Sequence, residues 1–103
     1  MKWLTKEEAR WLRDRVMPRL GIRQMRVDED HDYRGTYPDI WTDGETVTVT
    51  GEWARQTPWE RKKRLLHEAL HLAGMEHDSR VGFNSRPGRD RFSREMLEAI
   101  DAA

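Results

Sequence analysis

Near the start of the chain, apolar residues recur every three or four positions, which is the spacing of an amphipathic helix. Thr5 is a suitable N-cap, and Glu8 stands three positions later, as in a capping box. A first helix is therefore predicted over residues 5–20, with Gly21 as its stop. Its inward face is expected to comprise Leu4, Ala9, Leu12, Val16 and Leu20.

Two later stretches alternate apolar and polar residues, a pattern typical of β-strands. Residues 22–28 predict one strand. The segment DIWTDGETVTVTGEWA predicts a hairpin in which Asp43 and Gly44 form the turn and Thr46 to Thr50 the second strand. Residues 29–39 between these strands lack periodicity and are rich in turn residues, so they predict a loop.

The second half of the chain predicts two further helices. Thr57 and Pro58 have the residue types of an N-cap and a first helical position, so a helix is expected from Pro58 to about Ala73, with Gly74 as its stop. Residues 79–90 are rich in Gly, Pro and Ser and predict a loop. Ser93 then caps a short last helix over residues 93–102.

These elements predict an α+β fold in a single small domain spanning residues 1–103. We expect an N-terminal backing helix, a small, mainly antiparallel sheet, an active-site helix and a short C-terminal helix. Gly74, the predicted end of the second helix, falls inside the segment that contains most of the histidines.

The composition limits the possible cellular locations and binding partners of the chain. Lys plus Arg (19) equals Asp plus Glu (19), so no net charge drives the chain onto nucleic acid or an anionic membrane. The chain has no cysteine and no apolar stretch near the ~20 residues of a membrane span. We therefore expect a cytoplasmic monomer without a membrane partner, whose metal chemistry uses histidine and carboxylate.

Three of the four histidines lie within the segment HEALHLAGMEH, residues 67–77. On a helix with ~100° per residue, His67 and His71 lie ~40° apart, one turn from each other, so their rings can converge on one ion. Gly74 can adopt the left-handed conformation that reverses the chain and brings His77 back as a third ligand. This spacing predicts a Zn²⁺ site.

Three neutral ligands leave one zinc position for water, which then loses a proton near neutral pH. Glu68 lies ~100° round the helix from His67, where its carboxylate can act as general base. Asp78, beside His77, is an alternative third ligand or a hydrogen-bond acceptor for a ligand imidazole. Two other interpretations are a surface histidine cluster without metal and a structural zinc, although all-histidine ligands with an adjacent glutamate favour catalysis.

The same segment resembles the HExxHxxGxxH signature of the metzincin zinc metallopeptidases. The resemblance implies a zincin-like fold and peptide-bond hydrolysis, with His67, His71 and His77 as zinc ligands and Glu68 as general base. It also implies a protein or peptide substrate in extended conformation along the Thr46 to Thr50 strand, taken as the sheet edge. VGFNSRPG, which follows the signature, contains no methionine where a metzincin has its methionine-containing turn.

The segment also resembles the HGxxHLxGxDH signature of bacterial zinc endoribonucleases that mature ribosomal RNA, in which glycine stands where this chain has Glu68. RNA is thus the alternative substrate, and the basic run RKKR, residues 61–64, is either a phosphate-contacting patch or a solvated helix face. Arg64, one turn before His67, could pair with Glu68 or touch substrate. A non-enzymatic alternative is an inactive, zinc-stabilised binding module.

Overall fold

The computed structural model describes residues 2–33, 39–75 and 86–102, the last with side chains from residue 94. These residues form three strands and four helical segments, the first of which joins two α-helical parts and a π-helical turn without a break. This arrangement confirms the predicted α+β class. The elements are α1 (Lys6–Trp11), a π-helical turn (Leu12–Val16), α2 (Met17–Leu20), β1 (Arg26–Glu29), β2 (Ile40–Thr42), β3 (Thr46–Val49), α3 (Gly51–Ala54), α4 (Pro58–Leu72) and α5 (Arg86–Ala102).

The first helical segment begins as predicted. The Glu8 backbone N–H donates to the Thr5 hydroxyl at 3.0 Å, and the Thr5 N–H donates to the Glu8 carboxylate at 2.9 Å. This capping box satisfies donors that the first helical turn leaves unpaired. Trp11 and Val16 face the core, whereas Ala9, which we expected there, is exposed.

The π-helical turn between α1 and α2 is explained by Pro18. Proline has no N–H for the carbonyl of Asp14, and its ring would clash with that carbonyl in a regular α-helix. The backbone hydrogen bonds change from the α-helical to the π-helical pattern instead. The Met17 N–H donates to the Leu12 carbonyl, five residues back. Gly21 then ends the segment with a left-handed φ of 69°.

The first strand is shorter than the alternation predicts. The Ile22 N–H donates to the Met17 carbonyl at 2.9 Å and so completes the end of α2. A backbone group used in this way is not available to a sheet. The strand covers Arg26–Glu29, so it begins four residues later than predicted and ends one residue later.

The sheet is mixed, with strand order β1-β3-β2. β1 runs parallel to β3, with Val27 opposite Val47, and β2 runs antiparallel to β3, with Ile40 opposite Val49. The expectation of a mainly antiparallel sheet is corrected accordingly. Placing Thr46 to Thr50 at the sheet edge was wrong, because β3 is hydrogen-bonded on both sides. The edges of this three-stranded sheet are β1 and β2.

The hairpin between β2 and β3 is confirmed. The Asp43 carboxylate accepts the backbone N–H groups of Glu45 and Thr46, both at 2.9 Å. Gly44 has a φ of 97°, which side-chain-bearing residues rarely adopt. The turn brings Val47 and Val49 back onto the core side of the sheet, where both are fully buried.

The helices and one face of the sheet share one core among the described residues. The last helix is longer than predicted, because it begins at Arg86 and contains Ser93, which we expected to be its cap. It docks on the first segment, where the Trp11 indole donates to Asp101 at 3.2 Å. The core residues are Trp11, Leu12, Val16, Ile40, Val47, Val49, Trp53, Leu65, Leu66, Ala69, Leu70, Leu97 and Ile100.

In the described parts of the chain, no helix is both long enough and apolar enough to cross a bilayer. The cytoplasmic location stays a prediction.

Candidate metal centre

The helix that carries the histidines is α4. The Thr57 hydroxyl accepts the Glu60 N–H at 3.2 Å, and Pro58 takes the first helical position, as the sequence predicts. The back of the helix is fully buried in the core. This back comprises Leu65, Leu66, Ala69 and Leu70. Burial on one side leaves the histidine side of α4 half-buried.

The end of α4 is a Schellman turn. The Gly74 N–H donates to the His71 carbonyl at 2.9 Å, and the Met75 N–H donates to the Leu70 carbonyl at 2.9 Å. Gly74 has a φ of 95°, which favours glycine. The predicted glycine-enabled reversal is therefore present immediately after the second histidine.

His67 and His71 face each other across one turn of α4. Their Nε2 atoms are 3.1 Å apart, and their rings meet edge to face with centroids 4.8 Å apart. Two nitrogens each ~2.0–2.1 Å from one tetrahedral zinc ion would lie about 3.3 Å apart. The observed separation is a hydrogen-bond distance between the two rings, and it is also close to that of two ligands of a single ion.

The partner of the other His71 nitrogen supports the same interpretation. His71 Nδ1 lies 2.8 Å from the Met75 carbonyl oxygen, which can only accept, so Nδ1 carries the proton. In a neutral imidazole this leaves a lone pair on Nε2, directed at His67. A backbone carbonyl that fixes tautomer and ring orientation is the usual partner of a metal-ligating histidine.

The third proposed ligand, His77, lies outside the described residues, and so does its alternative, Asp78. Within the residues that are described, no group of three histidine or carboxylate side chains is arranged to hold a metal ion. The described part of the chain thus contributes the pair His67 and His71.

Glu68 is buried, with 8% of its surface exposed. Burial, and to a smaller extent the negative charge of Asp39, raises the pKa of Glu68 to about 7. In the described part of the chain no hydrogen bond reaches its carboxyl group to offset these effects. A carboxyl group with a pKa near neutrality can exchange a proton at physiological pH, as a general base must.

Asp39 is the site residue that sequence reasoning missed. Its carboxylate lies 2.9 Å from the Arg64 guanidinium, so Arg64 pairs with Asp39 and not with Glu68. Asp39 stands 25 positions before Arg64 in a stretch interpreted as loop, and the pairing of β2 with β3 is what brings it to α4. The one available signal was its position directly before the first strand of the hairpin.

The side chain of Arg61, the first cation of the basic run, is largely buried. Its guanidinium bonds both carboxylate oxygens of Glu8, at 2.6 and 3.0 Å, and lies 4.2 Å from the centre of the Trp53 ring. It also donates to the carbonyls of Trp3 and Ala54. Arg61 is therefore neither a phosphate contact nor a solvated residue.

The other cations of the run also have intramolecular partners. Lys62 lies over the Trp11 ring, Lys63 pairs with Glu60, and Arg64 pairs with Asp39. Three of the four cations in residues 61–64 are thus paired with carboxylates, and the fourth contacts an aromatic ring. Both sequence interpretations of this run, phosphate patch and solvated face, were wrong for Arg61.

Comparison of this chain with protein families, with characterised proteins and with solved structures finds no match. The metzincin and endoribonuclease resemblances therefore rest on the residues of the histidine segment, and the geometry of α4 carries the functional argument.

Proposed function

We propose that this protein is a zinc-dependent metallopeptidase, with His67, His71 and His77 as zinc ligands and Glu68 as general base. The observation that carries the proposal is the 3.1 Å separation of the His67 and His71 Nε2 atoms, with His71 oriented by the Met75 carbonyl. The buried Glu68 stands next in sequence to the first of these ligands.

Zinc bound at such a site lowers the pKa of water to near neutrality and polarises a substrate carbonyl. Glu68 accepts the proton that water releases as it attacks and delivers it to the leaving nitrogen. Its burial supports this role, because a carboxylate shielded from water is a stronger base than an exposed one.

The substrate is a peptide in extended conformation, and the topology favours β2 as the strand that pairs with it. β2 runs alongside α4: Asp39, just before β2, contacts Arg64, while Gly44 and Leu72 line one cavity at the other end. β2 therefore lies beside the length of α4 that carries the two histidines. An added strand there would place its backbone beside the metal ligands.

RNA is a weaker candidate substrate. A phosphate backbone needs accessible cations, and residues 61–64 are engaged with partners from the chain itself. The chain also carries Glu68 at the position where the endoribonucleases have glycine. Both features favour the peptidase.

The test is a digest of a mixed peptide library by zinc-loaded protein, analysed by mass spectrometry. We expect cleavage by the wild type, loss of cleavage after chelation, and recovery when zinc is restored. Glu68→Gln should retain zinc and lose at least about 100-fold in rate, the usual contribution of a positioned general base. Full activity in Glu68→Gln, or a zinc-loaded wild type that cleaves RNA and no peptide, would overturn the proposal.

A further inference from the structure

Arg64 occupies the histidine side of α4, one turn before His67. Its Nη1 atom lies 2.9 Å from an Asp39 carboxylate oxygen, and the two side chains are 31% and 16% exposed. The pair therefore lies mostly out of solvent, between the metal helix and the start of β2.

Asp39 is also held from its other side. The backbone N–H and the hydroxyl of Thr50 both donate to the Asp39 carbonyl, at 3.0 and 2.8 Å. Thr50 is buried and directly follows β3. The Asp39 carbonyl is thus tied to the central strand and its carboxylate to α4, so this one residue joins three elements.

A second polar group of Arg64, its Nε–H, is poorly satisfied. Arg64 Nε is buried without a hydrogen-bond partner among the described residues, and the Glu60 carboxylate lies 3.8 Å away. A buried donor without an acceptor costs free energy, so a folded protein retains one only where another interaction compensates. Here the compensating interaction is the ion pair that holds Asp39 in place.

We infer that Asp39 and Arg64 are positioning residues that fix the start of edge strand β2 against the metal helix, so that a peptide paired with β2 is held over His67 and His71. This inference rests on the proposed function. Without the pair, the start of β2 detaches from α4 and the scissile bond of a bound peptide is no longer held in one place. We expect zinc binding to be unaffected, because the hydrogen bonds and ion pairs of Asp39 and Arg64 do not involve His67 or His71.

The experiment compares Arg64→Met and Asp39→Asn with wild type by amide hydrogen exchange, zinc content and steady-state hydrolysis of a peptide substrate found in the library digest. We expect the amides of Ile40–Thr42 to exchange at least about tenfold faster, since local opening is limited by these contacts. The ratio kcat/KM should fall about 10- to 100-fold in both variants, the usual effect of misplaced reacting groups, with zinc content unchanged. Because the two variants change the charge near Glu68 in opposite senses, a loss shared by both reports positioning. Arg64→Lys, which keeps the charge, should recover part of both losses.

The matched control is Arg26→Met, which removes a 2.8 Å ion pair with Asp28 on β1, the opposite edge of the sheet. It should change neither the exchange of β2 nor kcat/KM. Unchanged exchange in β2 of Arg64→Met and Asp39→Asn, faster exchange with full kcat/KM, or an equal loss in Arg26→Met would each overturn the inference. A wild type without peptidase activity would instead overturn the proposed function, while the exchange data would still decide whether the pair fixes β2.

Discussion

Glu8 and Glu68 are buried to a similar degree, 6% and 8% exposed, but their surroundings are opposite. Glu8 accepts hydrogen bonds from the Thr5 hydroxyl and N–H and from two nitrogens of Arg61. Glu68 lies near another carboxylate, Asp39, and no donor reaches it within the described residues. One buried carboxylate is fully paired, and the other is kept near a like charge.

The difference separates a group that stabilises the fold from one that is available for chemistry. A paired and hydrogen-bonded buried charge fixes the elements that meet at it, here α1, α3 and α4. A buried carboxyl group without donors lowers stability when it ionises, and such groups cluster at functional sites. The Arg61 end of α4 is fixed to α1 and α3 by these hydrogen bonds, whereas the His71 end carries the candidate site.

The largest effect should follow from breaking the paired carboxylate. Arg61→Met leaves the Glu8 charge buried without a counter-charge, so the free energy of unfolding should fall by about 3–5 kcal/mol. Urea unfolding followed by tryptophan fluorescence measures it. The double variant Glu8→Leu with Arg61→Met should recover most of the loss, because apolar side chains can replace a buried pair. A loss below about 1 kcal/mol in the single variant would contradict the anchoring role.

Removing the charge of the unpaired carboxylate, Glu68, should raise stability, whereas breaking the Glu8–Arg61 pair lowers it. The folded-state pKa of Glu68 is about 7 against an ordinary value of 4.5, so the folded chain keeps a proton that the unfolded chain releases between these values. Stability therefore falls as pH rises through this range. Metal-free Glu68→Gln should be more stable than wild type by about 3 kcal/mol at pH 8 and equal to it at pH 4.

Glu29 is the matched control for that titration. Burial alone would raise the pKa of Glu29, but hydrogen bonds from the backbone of Leu4 and Trp3 and from His31 outweigh burial and hold the pKa below its usual range. Its stabilisation is present above the unfolded pKa and is lost as pH falls. Glu29→Gln should therefore destabilise at neutral pH, and a shared sign for the two variants would refute the contrast.

A smaller effect should separate the site end of α4 from an equivalent turn elsewhere. Gly74→Ala and Gly44→Ala both place a side chain at a φ near 95°, so each should lose about 1–2 kcal/mol of stability. Gly74→Ala alone should also weaken zinc binding about tenfold, because it shifts the Met75 carbonyl that orients His71. Competition with a zinc chelator measures this, and equal zinc affinity in both variants would count against the Schellman turn as part of the site.

The smallest effect concerns the basic run. Lys62→Gln removes only a cation–π contact with Trp11, so stability should fall by no more than about 1 kcal/mol. Retention of single-stranded RNA and its salt dependence should stay unchanged in Lys62→Gln and Lys63→Gln. A clearly reduced salt dependence would instead support the endoribonuclease alternative.

Features set by residues close in sequence were predictable. The Thr5–Glu8 capping box, the Gly74 turn and the convergence of His67 and His71 each depend on a few consecutive residues. The pairing of Glu8 with Arg61 spans 53 positions, and neither residue alone predicts it.

The sheet order and the Asp39–Arg64 contact depend on how distant segments pair. Alternation in Thr46 to Thr50 predicts a strand, but it does not distinguish a central strand from an edge strand. The edge assignment therefore required knowing that β1 and β2 flank β3 on opposite sides. The contact of Asp39 with Arg64 likewise depends on where β2 lies in the sheet.

We propose that His67 and His71 bind one zinc ion that Glu68 does not ligate, and titration of zinc against a competing chelator measures this. Wild type and Glu68→Gln should bind a single zinc ion with equal affinity, whereas His67→Ala and His71→Ala should each lose at least about 100-fold. Unchanged affinity in either histidine variant, or a comparable loss in Glu68→Gln, would show that the two histidines are not the ligands or that Glu68 is one of them.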